Sequence, residues 1–524
     1  MKWISTAEQM RQADLYAVSE MKVPSLLLME AAARAVADRL SKVCKKDDDI
    51  LFLCGSGNNG GDGFACARMM KHRGFSVRVF CMTDPRSLSG DARVNYDMLS
   101  EYGVSVLTQD QASAFNHIAE QSEWVVDALL GTGLNKPLRG FYLQVVSSIN
   151  KLKKDGIFKV LSIDIPSGVD ADTGKVLGEA IHADETITFC RLKPGLMLFP
   201  GCDCAGKVSV ADIGIPETIP PLARASMFSM DPEDLRRLVP ERKSRSHKGL
   251  YGRVLAVCGS KTMTGAAVFT ASGAYRTGAG LVECAIPEGA AEVFMGQIPE
   301  AITYAYKDDA YESFEWVGEK VRSARIVACG PGLSKAPYAK KLLKKLLQTA
   351  PSRTPLILDA DALNLLAEDE SLKELLAERG GNTVLTPHMG EASRLLGKSI
   401  EEISADPLIY VRELAETYHA VTVLKDARTL VAEQEGRKRV FFNTTGNNGM
   451  SKGGSGDVLT GIIAGLLAQG MEPFDAACCG TYIHGAAGDR ARKQMGSYSM
   501  LPTDTLNCLN VESILTEGCD GGKQ

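Results

Sequence analysis

The chain lacks any long basic block and is poor in aromatic residues: 59 Lys and Arg stand against 64 Asp and Glu, a formal net charge of −5, and Phe, Trp and Tyr make up 6%. Nucleic-acid binding needs a positive footprint that is missing here, so an anionic ligand has to be held by local groups. Apolar runs of bilayer length are also lacking. The stretch 459–471 is too short to span, and the first ten residues reach acidic and polar side chains before any segment of signal-peptide length. The expectation is a soluble, unprocessed, cytoplasmic protein with no membrane or nucleic-acid partner. The 14 cysteines show neither a disulfide framework nor zinc spacing; Cys202/Cys204 and Cys478/Cys479 are the close pairs, and neither has companion ligands. Buried reduced thiols are expected, which suits a cytosol. No short-period repeat is visible, which excludes a solenoid.

The composition, 45% hydrophobic and 23% charged, is that of an ordinary globular protein. Length alone allows three or four domains of roughly 150 residues, but α/β units often exceed 200, so two are as defensible. Apolar segments at 50–54, 76–80, 124–130, 159–163, 186–190 and 207–213 read as strands. They alternate with helical patterns at 6–19, 25–41, 62–73 and 91–102. A second series of strands follows at 253–258, 281–286, 325–329, 356–359, 383–386, 421–425 and 439–443. The fold class is therefore α/β, two three-layer domains with mostly parallel sheets. Residues 215–221 and 231–248 break the pattern and read as a linker and exposed hinge, giving domains at 1–220 and 230–510. The tail after residue 510 is polar and expected to be loosely held.

Two glycine-rich loops stand out, CGSGNNGGDG at 54–63 after an apolar strand and GMSKGGSGD at 449–457 before an apolar run. In each, side chains are missing where backbone N–H groups could approach an anion. Two such loops suggest two linked activities.

The first loop satisfies G-x-G-x-x-G at a strand-to-helix turn, and Asp84 after the next strand could touch a ribose, a weak hydride-transfer signal by itself. The loop continues through Asn58, Asn59, Gly60, Gly61 and Asp62, more polar than a pyrophosphate cradle needs. Three further loops end later strands: 127–137 (DALLGTGLNKP), 164–170 (DIPSGVD) and 191–195 (RLKPG). Ligands of open α/β sheets bind at that edge, so these loops can converge on the first.

The second loop opens an apolar helix, where backbone donors and a positive helix end meet one carboxylate, Asp457. A plain N-cap by Ser455 or Asp457 is the simpler alternative, yet a cap needs one polar residue and no run of glycines. It is not a Walker loop, since G-x-x-x-x-G-K-[ST] is absent.

Taken together, NNGGDG, GTGL and DIPSG resemble the epimerase domain of the NAD(P)H-hydrate repair enzymes. The segments GSKTMTGAA (259–267), RTGAGLV (276–282), GPGL (330–333), LDADALN (358–364) and TPHMGE (386–391), with GGSGD, resemble in order the ribokinase-like dehydratase domain of the same family, over nearly all of residues 245–490. The resemblance implies a Rossmann-like epimerase domain and an ADP-dependent dehydratase domain. The first would interconvert the R and S epimers of nicotinamide cofactor hydrated at C6. The second would return the S form to NAD(P)H, consuming ADP and releasing AMP and phosphate. It implies K+ held by Asn59, Asp127 and Ser167. The hydrate (NADHX or NADPHX) would lie against Asn58, Asn59, Gly60, Gly61, Asp62, Gly131, Thr132, Gly133, Leu134, Asn135, Lys136, Pro137 and Asp164, with Asp164 near the reacting ring.

In the second domain the resemblance implies Ala266, Gly332, His388 and Asp457 on the hydrate, Asp457 as the base. ADP with Mg2+ would lie against Lys425, Asp426, Ala427, Arg428, Thr429, Thr445, Gly446, Asn447, Asn448, Gly449, Met450, Ser451, Lys452, Gly453, Gly454 and Gly456. Asp426 departs from the family, where a small residue follows the lysine. A homo-oligomer is expected. The alternative is a ribokinase-fold metabolite kinase with a nucleotide-sensing N-terminal domain.

Overall fold

In the computed structural model, which describes residues 1–309, 312–379, 381–434, 436 and 438–516, the chain from Lys2 onward separates into two compact units, Lys2–Ala225 and the part from Ser226.

The first unit is built on a parallel sheet in the spatial order Ser105–Leu107, Ser76–Cys81, Asp49–Cys54, Trp124–Ala128, Lys159–Ile163, Glu185–Phe189, Lys207–Ala211. Its central strand shows why a parallel sheet forms. Ile50, Phe52 and Cys54 enter the apolar cluster on one face, Leu51 and Leu53 the cluster on the other, and all five are fully buried. A strand without a polar face needs helices on both sides. Those helices include Ser25–Val43 and Asn58–His72 on one face and Gly140–Lys154 on the other. The order reverses between Asp49–Cys54 and Trp124–Ala128, paired as Leu53 to Asp127 and Cys54 to Ala128, and this switch point opens the crevice for a ligand.

The second unit follows the same rule. Its sheet runs Met227–Ser229, Val440–Phe442, Leu430–Ala432, Val421–Leu424, Thr383–Leu385, Leu356–Leu358, Ile326–Cys329, Arg253–Val257, Leu281–Pro287, Ile302–Tyr306. The pairings are parallel except those flanking Leu430–Ala432, which are antiparallel. The order switches between Arg253–Val257 and Ile326–Cys329. Helix Ser455–Ala468 is buried throughout from Val458 to Ala468. It lies against helix Thr264–Arg276 through glycines, since a Cβ on Gly461 would stand 2.2 Å from the Thr270 carbonyl and one on Gly273 2.7 Å from the Val458 carbonyl.

Three sequence expectations change. The gap left between the two expected domains contains a buried strand, Met227–Ser229, and the segment read as exposed hinge begins with a helix, Pro232–Leu238, started by the Asp231 side chain on the Asp234 N–H. The tail is not loose as far as it is described: Val511–Thr516 is a helix, Ile514 is fully buried and the Asn510 side chain accepts from Ser513, while residues 517–524 lie outside the described residues. The helix expected from residue 62 already begins at Asn58, so Asn58–Asp62 is a helical turn and not an open loop. Gly60 and Gly61 are helical because close packing requires them: a Cβ on Gly60 would lie 2.0 Å from the Gly55 carbonyl and one on Gly61 2.6 Å from Met29 Cε.

The helix crossing gives a direct test. Gly461→Val should lower the unfolding free energy of the second unit by about 1–3 kcal/mol through overpacking, read as a shift of its denaturant midpoint. An unchanged midpoint would mean that the two helices can separate freely.

Candidate active sites

In the first unit, Asp127 is fully buried at the end of its strand. Its Oδ2 accepts from the Ser162 hydroxyl (2.8 Å) and the Ser167 N–H (2.8 Å), and its Oδ1 from the Ser167 hydroxyl (2.6 Å) and the Leu129 N–H (3.3 Å). Burial pushes the carboxyl pKa up, and the Ser167 and Ser162 hydrogen bonds oppose that. The Leu130 carbonyl accepts from Asn59 Nδ2 at 3.1 Å and from the Ser167 hydroxyl at 3.2 Å. Asn59, Asp127 and Ser167 therefore meet around Leu130. The buried Asn59 Oδ1 has no hydrogen-bond partner among the described residues. A free buried oxygen beside a carboxylate and a hydroxyl suits a hard cation.

A second cluster lies at the next strand end. Asp164 has φ +66°, a conformation that a non-glycine residue holds only under surrounding constraint. Lys193 supplies it: its ammonium, 2% exposed, stands 2.6 Å from Asp164 Oδ1, 2.7 Å from Thr188 Oγ1 and 3.0 Å from the Phe189 carbonyl, and the Thr188 hydroxyl also reaches Asp164 Oδ1 (3.0 Å). Burial and the charges of Asp164 and Asp14 hold the Asp62 carboxyl well above the usual range. Asp14, on helix Ala7–Ser19, lies near this cluster with its side chain exposed.

The loops at 127–137, 164–170 and 191–195 thus share residue contacts, through Asp127–Ser167 and Asp164–Lys193. Gly131 packs on Asn59, with a Cβ there 3.3 Å from Asn59 Cβ. Residues 131–137 then run outward, with Thr132 and Leu134 half-buried and Gly133, Asn135, Lys136 and Pro137 exposed, before Leu138 is bound by the Leu177 carbonyl. Asp84 is drawn elsewhere. It caps the turn Pro85–Ser87 and pairs with exposed Arg86.

In the second unit the site gathers at the carboxyl ends of parallel strands. The Gly259 N–H donates to the Pro331 carbonyl across the switch point. Gly332, at φ +61°, touches Ala266, where a Cβ would fall 2.8 Å away. The Thr270 hydroxyl links the Ala266 carbonyl (2.9 Å) to the Asp457 carbonyl (3.3 Å). His388 starts helix Met389–Leu396 with Nδ1 accepting from Gly390 N (2.9 Å), and burial, Lys425 and Arg394 lower its pKa, so the ring is neutral with its proton on Nε2. Its neighbour Glu391 is buried, lies 4.0 Å from Lys425 Nζ, and has its pKa raised by burial. Lys425 Nζ bonds Asp359 Oδ1 at 2.7 Å, and the Thr460 hydroxyl holds Asp359 Oδ2 at 2.7 Å. Gly456 admits this lysine, since a Cβ there would lie 3.3 Å from Nζ.

Helix Ser455–Ala468 begins at Gly454, φ +97°, with no side-chain cap, so neither Ser455 nor Asp457 performs the capping role. Asp457 in the first turn has its pKa raised to about 7 by burial and by the charges of Asp359, Asp361 and Glu391, with Lys425 opposing. Residues 425–429 form the turn between two antiparallel strands. Asp426 and Ala427 are exposed, and the Asp426 carbonyl accepts from Thr429 Oγ1 (3.2 Å). Arg428 reaches the Asn443 carbonyl (2.8 Å). Thr445 bonds the Tyr482 carbonyl (2.8 Å), Asn447 caps the turn Asn448–Met450, and Lys452 bonds the Tyr498 carbonyl (2.7 Å). Ser451 and Gly453 follow in the same loop to Gly454.

A family model described as NAD(P)H-hydrate dehydratase matches residues 254–510, and one described as YjeF-related protein N-terminus matches residues 25–195. A bifunctional NAD(P)H-hydrate repair enzyme of Moorella thermoacetica is 39% identical over 521 residues, covering 97% of this chain and 96% of the relative. That of Escherichia coli is 36% identical over 462 residues, covering 88% and 84%. The chain belongs to the bifunctional NAD(P)H-hydrate repair enzyme family. Among solved structures, an ADP/ATP-dependent NAD(P)H-hydrate dehydratase from Bacillus subtilis, co-crystallised with ATP and Mg2+, is 30% identical, with a TM-score of 0.47, covering 55% of this chain and 98% of that one. A ribokinase-like superfamily protein from Enterococcus faecalis is 28% identical, with a TM-score of 0.49, covering 55% and 96%.

For a repair enzyme, sequence reasoning left out Lys193, Asp359, Glu391 and Thr460 as side chains of these clusters. Lys193, Asp359 and Glu391 lay inside motifs already quoted. For Asp359, a carboxylate directly after an apolar strand was the available signal.

Lys193 is buried and Asp164 half-buried, so removing the lysine leaves a largely enclosed carboxylate without its partner. Lys193→Met should cost the first unit about 3 kcal/mol, read from the urea transition followed at the buried Trp124. A loss below about 1 kcal/mol, the worth of a surface pair, would show that water reaches Asp164.

Proposed function

We propose that the two sites act in turn on one damaged cofactor. The residues around Asn59, Asp127 and Asp164 interconvert the R and S epimers of NAD(P)H hydrate. Those around Asp457 dehydrate the S form to NAD(P)H, with ADP consumed and AMP and phosphate released. The observation that carries this reading is Asp457: a half-buried carboxylate with a pKa raised to about 7, in the first turn of an uncapped, glycine-led helix. A base poised near neutrality beside free backbone N–H groups fits phosphoryl transfer to a hydroxyl.

Asp457 takes the proton of the C6 hydroxyl as that oxygen bonds the terminal phosphorus of ADP and AMP departs. The ring nitrogen then expels phosphate by breaking the C6–O bond, and loss of a C5 proton restores the ring double bond. Lys425 and the N–H groups of Gly453, Gly454 and Gly456 hold the diphosphate, the Ser455 N–H being taken by the Lys452 carbonyl. Mg2+ bound with the nucleotide would offset charge at the transferring group, held chiefly by the diphosphate itself. Exposure of Asp426 supports the fit of the 425–429 turn beside a nucleotide, because its side chain is not packed into the site.

At the epimerase site, Asp164, paired with Lys193, takes the C6 hydroxyl proton as the C6–N1 bond breaks and C6 becomes an aldehyde, while Asp62 gives a proton to N1; rotation about C5–C6 and the reverse steps close the ring on the other face of the carbonyl. Asn59 Oδ1, Asp127 and Ser167 would hold K+, which supplies a fixed positive charge beside the hydrate. The unpaired Asn59 oxygen supports that assignment. A metabolite kinase is not favoured: it would leave a stable phosphorylated product and give the first unit no reaction of its own. The reading is tested by supplying a mixed-epimer NADH hydrate with ADP, ATP or no nucleotide and following recovery of dihydronicotinamide absorbance. No recovery with either nucleotide would overturn it.

Asp457→Asn should cut dehydration by about 100- to 10,000-fold, the worth of a general base, while epimerisation persists, since the epimerase side chains all belong to the other unit. In the parent enzyme kcat should rise about tenfold per pH unit below 7 and level off above, because only the charged carboxylate accepts a proton. The same raised pKa makes stability fall with rising pH: between about 4 and 7 the folded chain keeps a proton that the unfolded chain has lost. A flat kcat profile from pH 5 to 8 would remove Asp457 as the base.

The ion is tested at Asn59. Asn59→Ala should slow epimerisation by about 10- to 100-fold, in the range of altered metal sites. It should also abolish any rate difference between potassium and tetramethylammonium salts. Equal rates of the parent enzyme in the two salts would reject the ion.

A further inference from the structure

Helix Pro473–Ser499 carries a face that no step above uses. Tyr482, Gly485, and Asp489 are spaced three and four residues apart, so they share one side of the helix. That side is shaped to the loop 445–450. The Tyr482 carbonyl accepts from the Thr445 hydroxyl at 2.8 Å. Gly485 and Gly488 let the helix approach: a Cβ on the first would stand 2.3 Å from Thr445 Oγ1, one on the second 2.2 Å from Met450 Sδ. Asp489 then spends both carboxylate oxygens on the loop, Oδ2 accepting from the Gly446 N–H (3.0 Å) and Oδ1 from Asn447 Nδ2 (2.9 Å).

The two bonds fix the loop at its least determined point. Gly446 sits at φ +105°, open to many conformations when unbound. Asn447 uses its other amide atom, Oδ1, to accept from Gly449 N (3.0 Å), so its side chain is oriented at both ends. One turn earlier on the helix, His484 Nε2 lies 3.5 Å from the Ser455 hydroxyl at the start of the phosphate-binding helix. The same helix therefore touches both halves of the nucleotide site.

We propose that Asp489 is a positioning residue for nucleotide binding, holding the 445–450 loop in its binding conformation before ADP arrives. This rests on the reading that the loop holds ADP. A preformed loop lowers the ordering cost of binding, so the effect falls on nucleotide affinity and not on the chemical step.

The test uses the full chain with Asp489→Ala and Asp489→Asn, the latter keeping one acceptor and the shape. ADP affinity is measured by calorimetry without hydrate, and KM and kcat with the pure S epimer. Asp489→Ala should raise the ADP Kd and KM about tenfold or more, from the loss of two bonds to a charged acceptor. Asp489→Asn should fall between it and the parent. In both, kcat should stay within about threefold, as expected of a binding-only effect, and the KM for the hydrate should not move. An unchanged ADP Kd in either folded variant would overturn the proposal, as would a fall in kcat with KM unaltered. Should the alanine variant not fold, the asparagine variant carries the same test. A parent enzyme that binds no ADP would instead defeat the functional reading itself.

Discussion

Backbone passes against backbone at the carboxyl edge of both sheets, closer than any side chain permits. A Cβ on Gly55 would lie 1.9 Å from the Leu129 carbonyl, one on Gly168 2.1 Å from the Glu179 carbonyl and one on Gly330 1.9 Å from the Asp359 carbonyl. These contacts sit beside the switch point of the first sheet, on the Ser167 turn, and beside the switch point of the second. Each also sets a polar group: Gly55 seats the turn whose Leu129 and Leu130 backbone bonds Asp127, Asn59 and Ser167, Gly168 follows Ser167, and Gly330 faces Asp359. The sites exist because neighbouring strand ends can close to this distance. The glycines are thus packing requirements first, and the bare N–H groups near an anion follow from them.

The two edges then handle charge in different ways. In the first unit the Asp164 carboxylate has a dedicated counter-ion, Lys193, whose ammonium is buried. In the second, Lys425 is shared between Asp359 and Glu391, and Asp457 is raised to about 7 first by burial and then by the charges of Asp359, Asp361 and Glu391, with Lys425 only opposing. A dedicated pair orients its carboxylate. An unbalanced cluster produces a base that can release or take a proton at neutral pH.

Much of the fold was legible because the central strands are apolar on both faces, as at residues 50–54 and 253–257, and parallel packing leaves no other place for them. Shorter or half-exposed strands were not: Leu430–Ala432 has three residues, and Ile302–Tyr306, at the sheet edge, mixes exposed and buried positions. Helix Gly140–Lys154 begins without a capping side chain, so its start gave no signal. At the sites, residues within a glycine-rich motif could be read, whereas their partners could not. Thr460 meets Asp359 across 101 positions, Lys425 meets it across 66, and Asp489 reaches Asn447 across 42. Local spacing has no information about such pairs until the sheet order is known.

The division of labour follows from the chemistry of the damaged cofactor. Hydration at C6 creates a stereocentre, and a site that aligns one C6 hydroxyl with a carboxylate and a phosphorus atom cannot align its mirror arrangement without moving the ring. Selectivity is therefore a consequence of the positioning that phosphoryl transfer needs. An epimerising site has the opposite requirement, since it must accept both forms and move a proton for each. One constellation cannot be tight for the first task and tolerant for the second. Two sheets, each with its own switch point, let the carboxylates be set separately: in the proposed reading Asp62 and Asp164 serve the reversible reaction and Asp457 the committed transfer.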